Sequence, residues 1–201
     1  MKREIRAFRQ HTFETCGACC MLMALDYFRK IPFPNAKREA VLYDIYRCKS
    51  FKGILASAIA DCLTKNGLRV ELYHSSETYL DNQDQYYPEE LYRSMLDEYT
   101  ETLGRLAGRI TVETGCALTP DRYRVMLDQG KLLIVQCIVP GDADGMHDET
   151  LHWILLYGYE NGEFKACDPL SGKIRLTEGE MIHYTNTPVG SICAAVSGNA
   201  A

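Results

Sequence analysis

Residues 10–23 read QHTFETCGACCMLM, and the fold turns on how this stretch is read. Cys16 stands just ahead of Gly17 and Ala18, at the entry to an apolar run. Cys19, Cys20, Met21, Met23, Ala24, Leu25 and Phe28 follow at spacings that predict a buried helix ending near Lys30, with Thr15 as its N-cap. A thiol in the first turn of a helix faces unpaired backbone N–H groups and the positive end of the helix dipole. Both favour the thiolate, which is the nucleophilic form of cysteine. Gln10 precedes Cys16 by six residues, so a short loop can swing its amide beside the sulfur. A neutral amide donor there suits a carbonyl oxygen that gains negative charge under attack.

The far end of the chain carries the complementary chemistry, in HWILLYGYENGEFKACDPLSGK at 152–173. His152 opens an apolar strand, Asn161-Gly162 is a strong two-residue hairpin signal, and Asp168-Pro169 closes the second strand. With that turn, paired residue numbers sum to about 323, which sets His152 opposite about position 171. Asp168 then lies a few residues off, within reach of His152 if the register bulges.

A Gln, five residues, Cys-Gly and a helix of small residues, followed late in the chain by His and Asp-Pro, resembles a papain-like cysteine peptidase. The closer likeness is to the branch that includes the bacteriocin leader peptidases cutting after double-glycine sequences. It covers about 14 residues at the front and about 22 at the back. The resemblance implies an α+β papain-like fold, with an N-terminal helical part carrying the nucleophile packed on a C-terminal antiparallel β-sheet. It also implies roles. Cys16 attacks the carbonyl, and His152 holds the thiolate as an ion pair and then protonates the leaving amine. Asp168 orients the far imidazole nitrogen, and Gln10 with the Cys16 backbone N–H cradles the oxyanion. Two departures stand out. Leader peptidases are usually fused to an ABC transporter, and no transporter follows here; many relatives carry Asp before the nucleophile, where this chain has Thr15.

Between these ends the elements alternate. A proline break at 31–35 ends the first helix, and Asn35 caps a second that runs to about Arg47. Ile54 to Asn66 reads as a third helix stopped by Asn66-Gly67, and RVELYH at 69–74 as a strand. The tyrosine-rich 75–87 reads as a loop, and Pro88-Glu89-Glu90 starts an amphipathic helix to about Ala107. This 75–110 segment is a candidate border for a substrate groove. Thr119-Pro120-Asp121 begins another helix that Gln129-Gly130 ends. LLIVQCIV at 132–139 is a near-continuous apolar run, as a central strand is. An acidic loop precedes the hairpin, and KIRLT and SICAAV read as further strands. The 201 residues suit one domain, helical over about 1–130 and sheet over about 131–198.

Composition narrows the function. The chain is 46% hydrophobic and 24% charged, with a net charge of −5, which speaks against nucleic acid or an anionic membrane as partner. No apolar run reaches the roughly 18 residues of a membrane span, and the basic N-terminus lacks the apolar stretch of a secretory signal. Nine cysteines without such a signal fit a reducing, cytoplasmic setting, with signal-less export left open. The expected partner is a peptide or protein substrate, with no cofactor and no metal. The Cys16–Cys19 pair forms one CxxC but lacks a thioredoxin-like context, so Cys19 and Cys20 read as small apolar fillers. His147 sits in a Gly/Asp-rich loop that positions a base poorly, and Trp153 reads as packing beside His152. Asp142, Asp144, His147, Asp148 and Glu149 lack EF-hand spacing and read as a solvated loop. Three outcomes remain open for the site: peptide hydrolysis, acyl transfer or deamidation through the same thioester, and a degenerate module that only binds peptide.

Overall fold

The computed structural model describes residues 4–77, 87–140, 149–187 and 190–198. Helix α1 spans Cys16–Tyr27 and is buried through Asp26, entered from a single 3-10 turn at Phe13–Thr15. Thr15 stands at its N-cap position without a capping side-chain bond, because its hydroxyl is used elsewhere. Helix α2 (Ala36–Tyr46) starts where Asn35 accepts from Arg38 N–H at 3.0 Å, a cap readable from the Pro-Asn pair. Helix α3 (Ala56–Lys65) ends at Asn66, and Gly67 takes the left-handed conformation at φ 73° that releases the chain into strand β1 (Leu68–His74). Helix α4 (Glu89–Leu106) carries two acids in its first turn. A three-residue strand β2 (Thr111–Glu113) and helix α5 (Pro120–Asp128) follow, the latter capped by the Thr119 hydroxyl.

The remaining strands are β3 (Leu132–Pro140), β4 (Glu149–Glu160), β5 (Glu163–Asp168), β6 (Gly172–Thr177) and β7 (Ile192–Gly198). Helix α6 (Glu178–Thr185) stands between the last two and opens with a capping box of Thr177 and Glu180. All seven strands join one sheet in the order β2-β1-β7-β3-β4-β5-β6. The β1–β2 pair is parallel and every other ladder is antiparallel. Strand β1, which arises among the helices, therefore lies inside the sheet against β7 rather than outside it. Neither β2 nor α6 is among the elements that sequence reading picks out.

Central strand β3 is apolar but for Gln136 because both of its faces are covered. Leu132 and Ile134 join the core with α1, α3 and α4, whereas Leu133, Val135 and Cys137 join the core with α5 and α6. The hairpin turn uses Asn161 at φ 55° and Gly162 at φ 84°, the left-handed pair that a two-residue hairpin demands. From this turn the pairing begins at Glu160↔Glu163 and slips by one residue between Leu156 and Gly158. Beyond the bulge, Leu155 faces Cys167. Side chains alternate between faces, so the slip moves Asp168 onto the same face as His152. In an unbroken ladder the two would point to opposite faces.

Candidate active site

Cys16 is the first residue of α1 and is 8% exposed. Gly17 behind it has no side chain for a reason of space. A Cβ there would lie 3.0 Å from Ile54 Cβ and 3.4 Å from Trp153 Cδ1. The first turn of α1 thus rests directly on the 48–55 loop and on β4. Trp153 locks this contact: its indole N–H donates to the Ile54 carbonyl at 3.0 Å, and the Cys20 thiol donates to the Trp153 carbonyl at 3.4 Å.

His152, 3% exposed, reaches the same place from β4. Its Nε2 donates to Asp168 Oδ1 at 2.8 Å, which leaves Nδ1 for other partners. Burial pushes the ring's pKa down, but its hydrogen bonds with Asp168 and with Cys16 outweigh that and raise it to about 9. Asp168 is buried too, which pushes its pKa up. Hydrogen bonds from His152, the Ser171 hydroxyl (2.5 Å) and the Leu170 N–H (2.8 Å) prevail and hold the carboxyl below its usual range. Asp168 is thus both a turn former and the partner of the imidazole. His152 and Asp168 form one buried hydrogen-bonded pair, and Cys16 lies near enough to the ring to act on its titration.

Gln10 ties the two ends of the molecule. Its backbone N–H donates to the Pro169 carbonyl at 2.9 Å, and the neighbouring Arg9 guanidinium donates to the Ser171 carbonyl at 2.6 Å. The side chain is turned inward on its own loop. Its Nε2 donates to the carbonyls of Thr12 (3.0 Å) and Phe13 (2.9 Å), while Oε1 is buried without a partner. Both amide hydrogens are committed to main-chain acceptors, so service to an oxyanion requires one of them to be released.

A carboxylate that sequence reading passes over stands under this loop. Glu39 of α2 is 2% exposed and binds His11 and Thr15. No local spacing links position 39 to Cys16; only the packing of α2 against the entry turn of α1 does. Ser171, which holds Asp168, is likewise visible only in three dimensions.

Beside Cys16 opens a cleft of about 110 Å³ with Phe13, Phe51, Leu55, Tyr87, Met95 and Trp153 in its walls. Tyr87 and Met95 come from the 75–110 segment, so part of that segment does border the cleft. Glu14 and Lys52, also lining it, pair at 3.6 Å. Of the other histidines, His74 is buried with its Nε2 2.7 Å from the Tyr99 hydroxyl, and burial pushes its pKa down to about 4. His183 lies on the last turn of α6. His147 and the acidic residues Asp142, Asp144 and Asp148 fall outside the described residues. Among the described residues, no group of three or more His, Cys, Asp or Glu side chains is arranged to hold a metal ion, and no helix is long and apolar enough to cross a membrane. All nine cysteines are free and buried. Burial and the Glu39 carboxylate push the Cys19 thiol far above its ordinary pKa, which keeps it protonated beside Cys16.

No family model and no curated protein matches this sequence. Solved structures do. The peptidase domain of Streptococcus ComA, a bi-functional ABC transporter involved in a quorum-sensing pathway, is similar with a TM-score of 0.51 at 12% identity, over 98% of this chain and 100% of that one. A double-glycine motif protease from an AMS/PCAT transporter, solved with its leader peptide, gives 0.49 at 16% identity, over 98% and 94%. At such identities the likeness establishes the fold. The chain has the α+β papain-like architecture of the ComA peptidase domain.

Proposed function

We propose that the chain is a thiol hydrolase that cleaves a peptide or amide bond, with Cys16 as nucleophile, His152 as acid and base, and Asp168 as the group that orients it. The observation that carries this reading is a buried imidazole whose Nε2 is held 2.8 Å from a carboxylate, with a cysteine at a helix start near enough to act on the ring's titration. With Nε2–H pointed at Asp168, Nδ1 is the nitrogen that takes the thiol proton. The thiolate then adds to the substrate carbonyl. The negative oxygen is received by the Cys16 backbone N–H and by the Gln10 amide, once that amide turns from Phe13 or Thr12. His152 returns the proton to the departing amine, leaving a thioester on Cys16. Water enters, gives a proton to Nδ1 and its oxygen to the acyl carbon, and the carboxylic acid leaves as the thiol is restored. An amine in place of water would give acyl transfer from the same thioester.

The apolar cleft beside Cys16 favours a peptide substrate that seats a non-polar side chain next to the scissile bond. Nine buried thiols favour a reducing compartment such as the cytoplasm. The test is Cys16→Ala with mass spectrometry of products. A folded variant should lose turnover, and wild-type products should gain the mass of water. Gain of an amine would reassign the chain to transfer, and full turnover by the variant would refute the nucleophile.

A further inference from the structure

Glu39 is placed oddly for a carboxylate. It sits in the first turn of α2 yet is 2% exposed, turned toward the loop that leads into Cys16. Its Oε1 accepts from the His11 backbone N–H at 2.8 Å and from the Thr15 hydroxyl at 2.5 Å. Its Oε2 accepts from His11 Nδ1 at 2.5 Å. The same carboxylate helps to push up the pKa of the Cys19 thiol, one turn into α1. A buried carboxylate is costly unless it is hydrogen-bonded, and the bonds that offset its burial here come from positions 11 and 15. One side chain from a separate helix therefore holds both the segment before the nucleophile and its N-cap.

That segment is short and irregular. Between Gln10 and Cys16 it forms the 3-10 turn, whose Thr15 N–H to Thr12 carbonyl bond is long at 3.3 Å, and the single Thr15 hydroxyl hydrogen is shared between the Thr12 carbonyl at 2.8 Å and Glu39. The Gln10 amide rests on the carbonyls of Thr12 and Phe13, so wherever this loop goes, Gln10 goes with it. Resting on the reading of Cys16 as nucleophile, we propose that Glu39 is a positioning residue. Through His11 and Thr15 it fixes the loop that carries the oxyanion donors, at the distance from the sulfur that the tetrahedral adduct needs. It touches no reacting atom. Misplacement by about 1 Å at such a site can cost about 100-fold in rate.

The discriminating experiment compares two inhibitors of one peptide sequence. A peptide aldehyde forms a hemithioacetal with Cys16, its carbonyl carbon bonding sulfur and its oxygen taking the oxyanion position. The matching peptide alcohol occupies the cleft without bonding sulfur. In Glu39→Gln, kcat and aldehyde affinity should fall together by about tenfold or more, while KM and alcohol affinity stay within about threefold. Thr15→Val, which within a nearly unchanged volume deletes one arm of the clasp together with the hydroxyl's bond to the Thr12 carbonyl, should show the same split, and Thr15→Ser should restore wild-type values. Wild-type kcat and aldehyde affinity in a folded Glu39→Gln or Thr15→Val protein would overturn the proposal. So would equal loss of aldehyde and alcohol affinity, which is what general loosening of the structure would produce. If the wild-type protein formed no adduct with the aldehyde, the nucleophile assignment itself would fail and this inference with it.

Discussion

At the scale of single residues, the site is a set of charges whose burial is offset by pairing. The His152 ring and the Asp168 carboxylate each shift in the direction that favours the ionised pair. This has a consequence for stability. The raised histidine contributes fully below its ordinary pKa of about 6.5, and that contribution fades as pH climbs through about 9. The depressed carboxyl contributes fully above its ordinary value of about 3.9 and fades as pH falls through its lower folded value. Thermal melts should therefore show a plateau between about pH 4 and 6.5 and a decline toward 9, and His152→Ala should flatten the alkaline decline. An unchanged alkaline slope in that variant would show that the ring is not the group responsible. Residue types were legible at this scale: Cys before Gly at a helix start, His at a strand start and Asp before Pro are local signals. Glu39 was not. Nothing in positions 36–46 distinguishes its carboxylate from those of a solvated face; only the approach of the 11–15 loop does.

At the scale of elements, local chemistry again separates what could be read from what could not. Asn35, Thr119 and the Asn161-Gly162 turn act on their immediate neighbours, and the structure has a helix or hairpin starting at each. Strand β2 is three exposed residues long and exists only because β1 lies alongside it. Helix α6 does carry a readable Thr177–Glu180 capping box, but Gly179 in its first turn and its eight-residue length dilute the signal. The bulge at Leu156–Gly158 is marked in the sequence by an isolated strand glycine, which does not fix the direction of the slip, yet the slip decides the face on which Asp168 emerges. Packing at the head of α1 gives an element-scale prediction. Gly17→Ala would press a methyl group to 3.0 Å from Ile54 Cβ, whose backbone carbonyl is itself held by Trp153. We expect a loss of about 1–3 kcal/mol in denaturant melts, with turnover reduced in what remains folded. A variant as stable as wild type would mean that α1 can tilt freely at its head.

For the molecule as a whole, α+β architecture was legible because helical and alternating periodicities occupy different stretches. Strand order was not. The pairing of residues 68–74 with 192–198 joins segments more than 100 residues apart, and no local rule selects it. It makes β7 the strand between β1 and β3, with Ala194 in one core and Cys193 and Ala195 in the other. Removal of residues 192–201 should therefore abolish cooperative thermal unfolding by circular dichroism, whereas a sharp transition in the truncated protein would contradict this role for β7. The same long-range folding brings a sulfur from the front of the chain to an imidazole from the back, and the account stands or falls on that meeting. It is tested most directly by iodoacetamide labelling at pH 7, with the rate at each of the nine cysteines followed by mass spectrometry in wild type and His152→Ala. We predict that Cys16 reacts fastest in the wild type and slows by about tenfold or more when the ring is removed, the other eight sites keeping their rates. A Cys16 that reacts no faster than the other buried thiols, or whose rate ignores the loss of His152, would contradict the account.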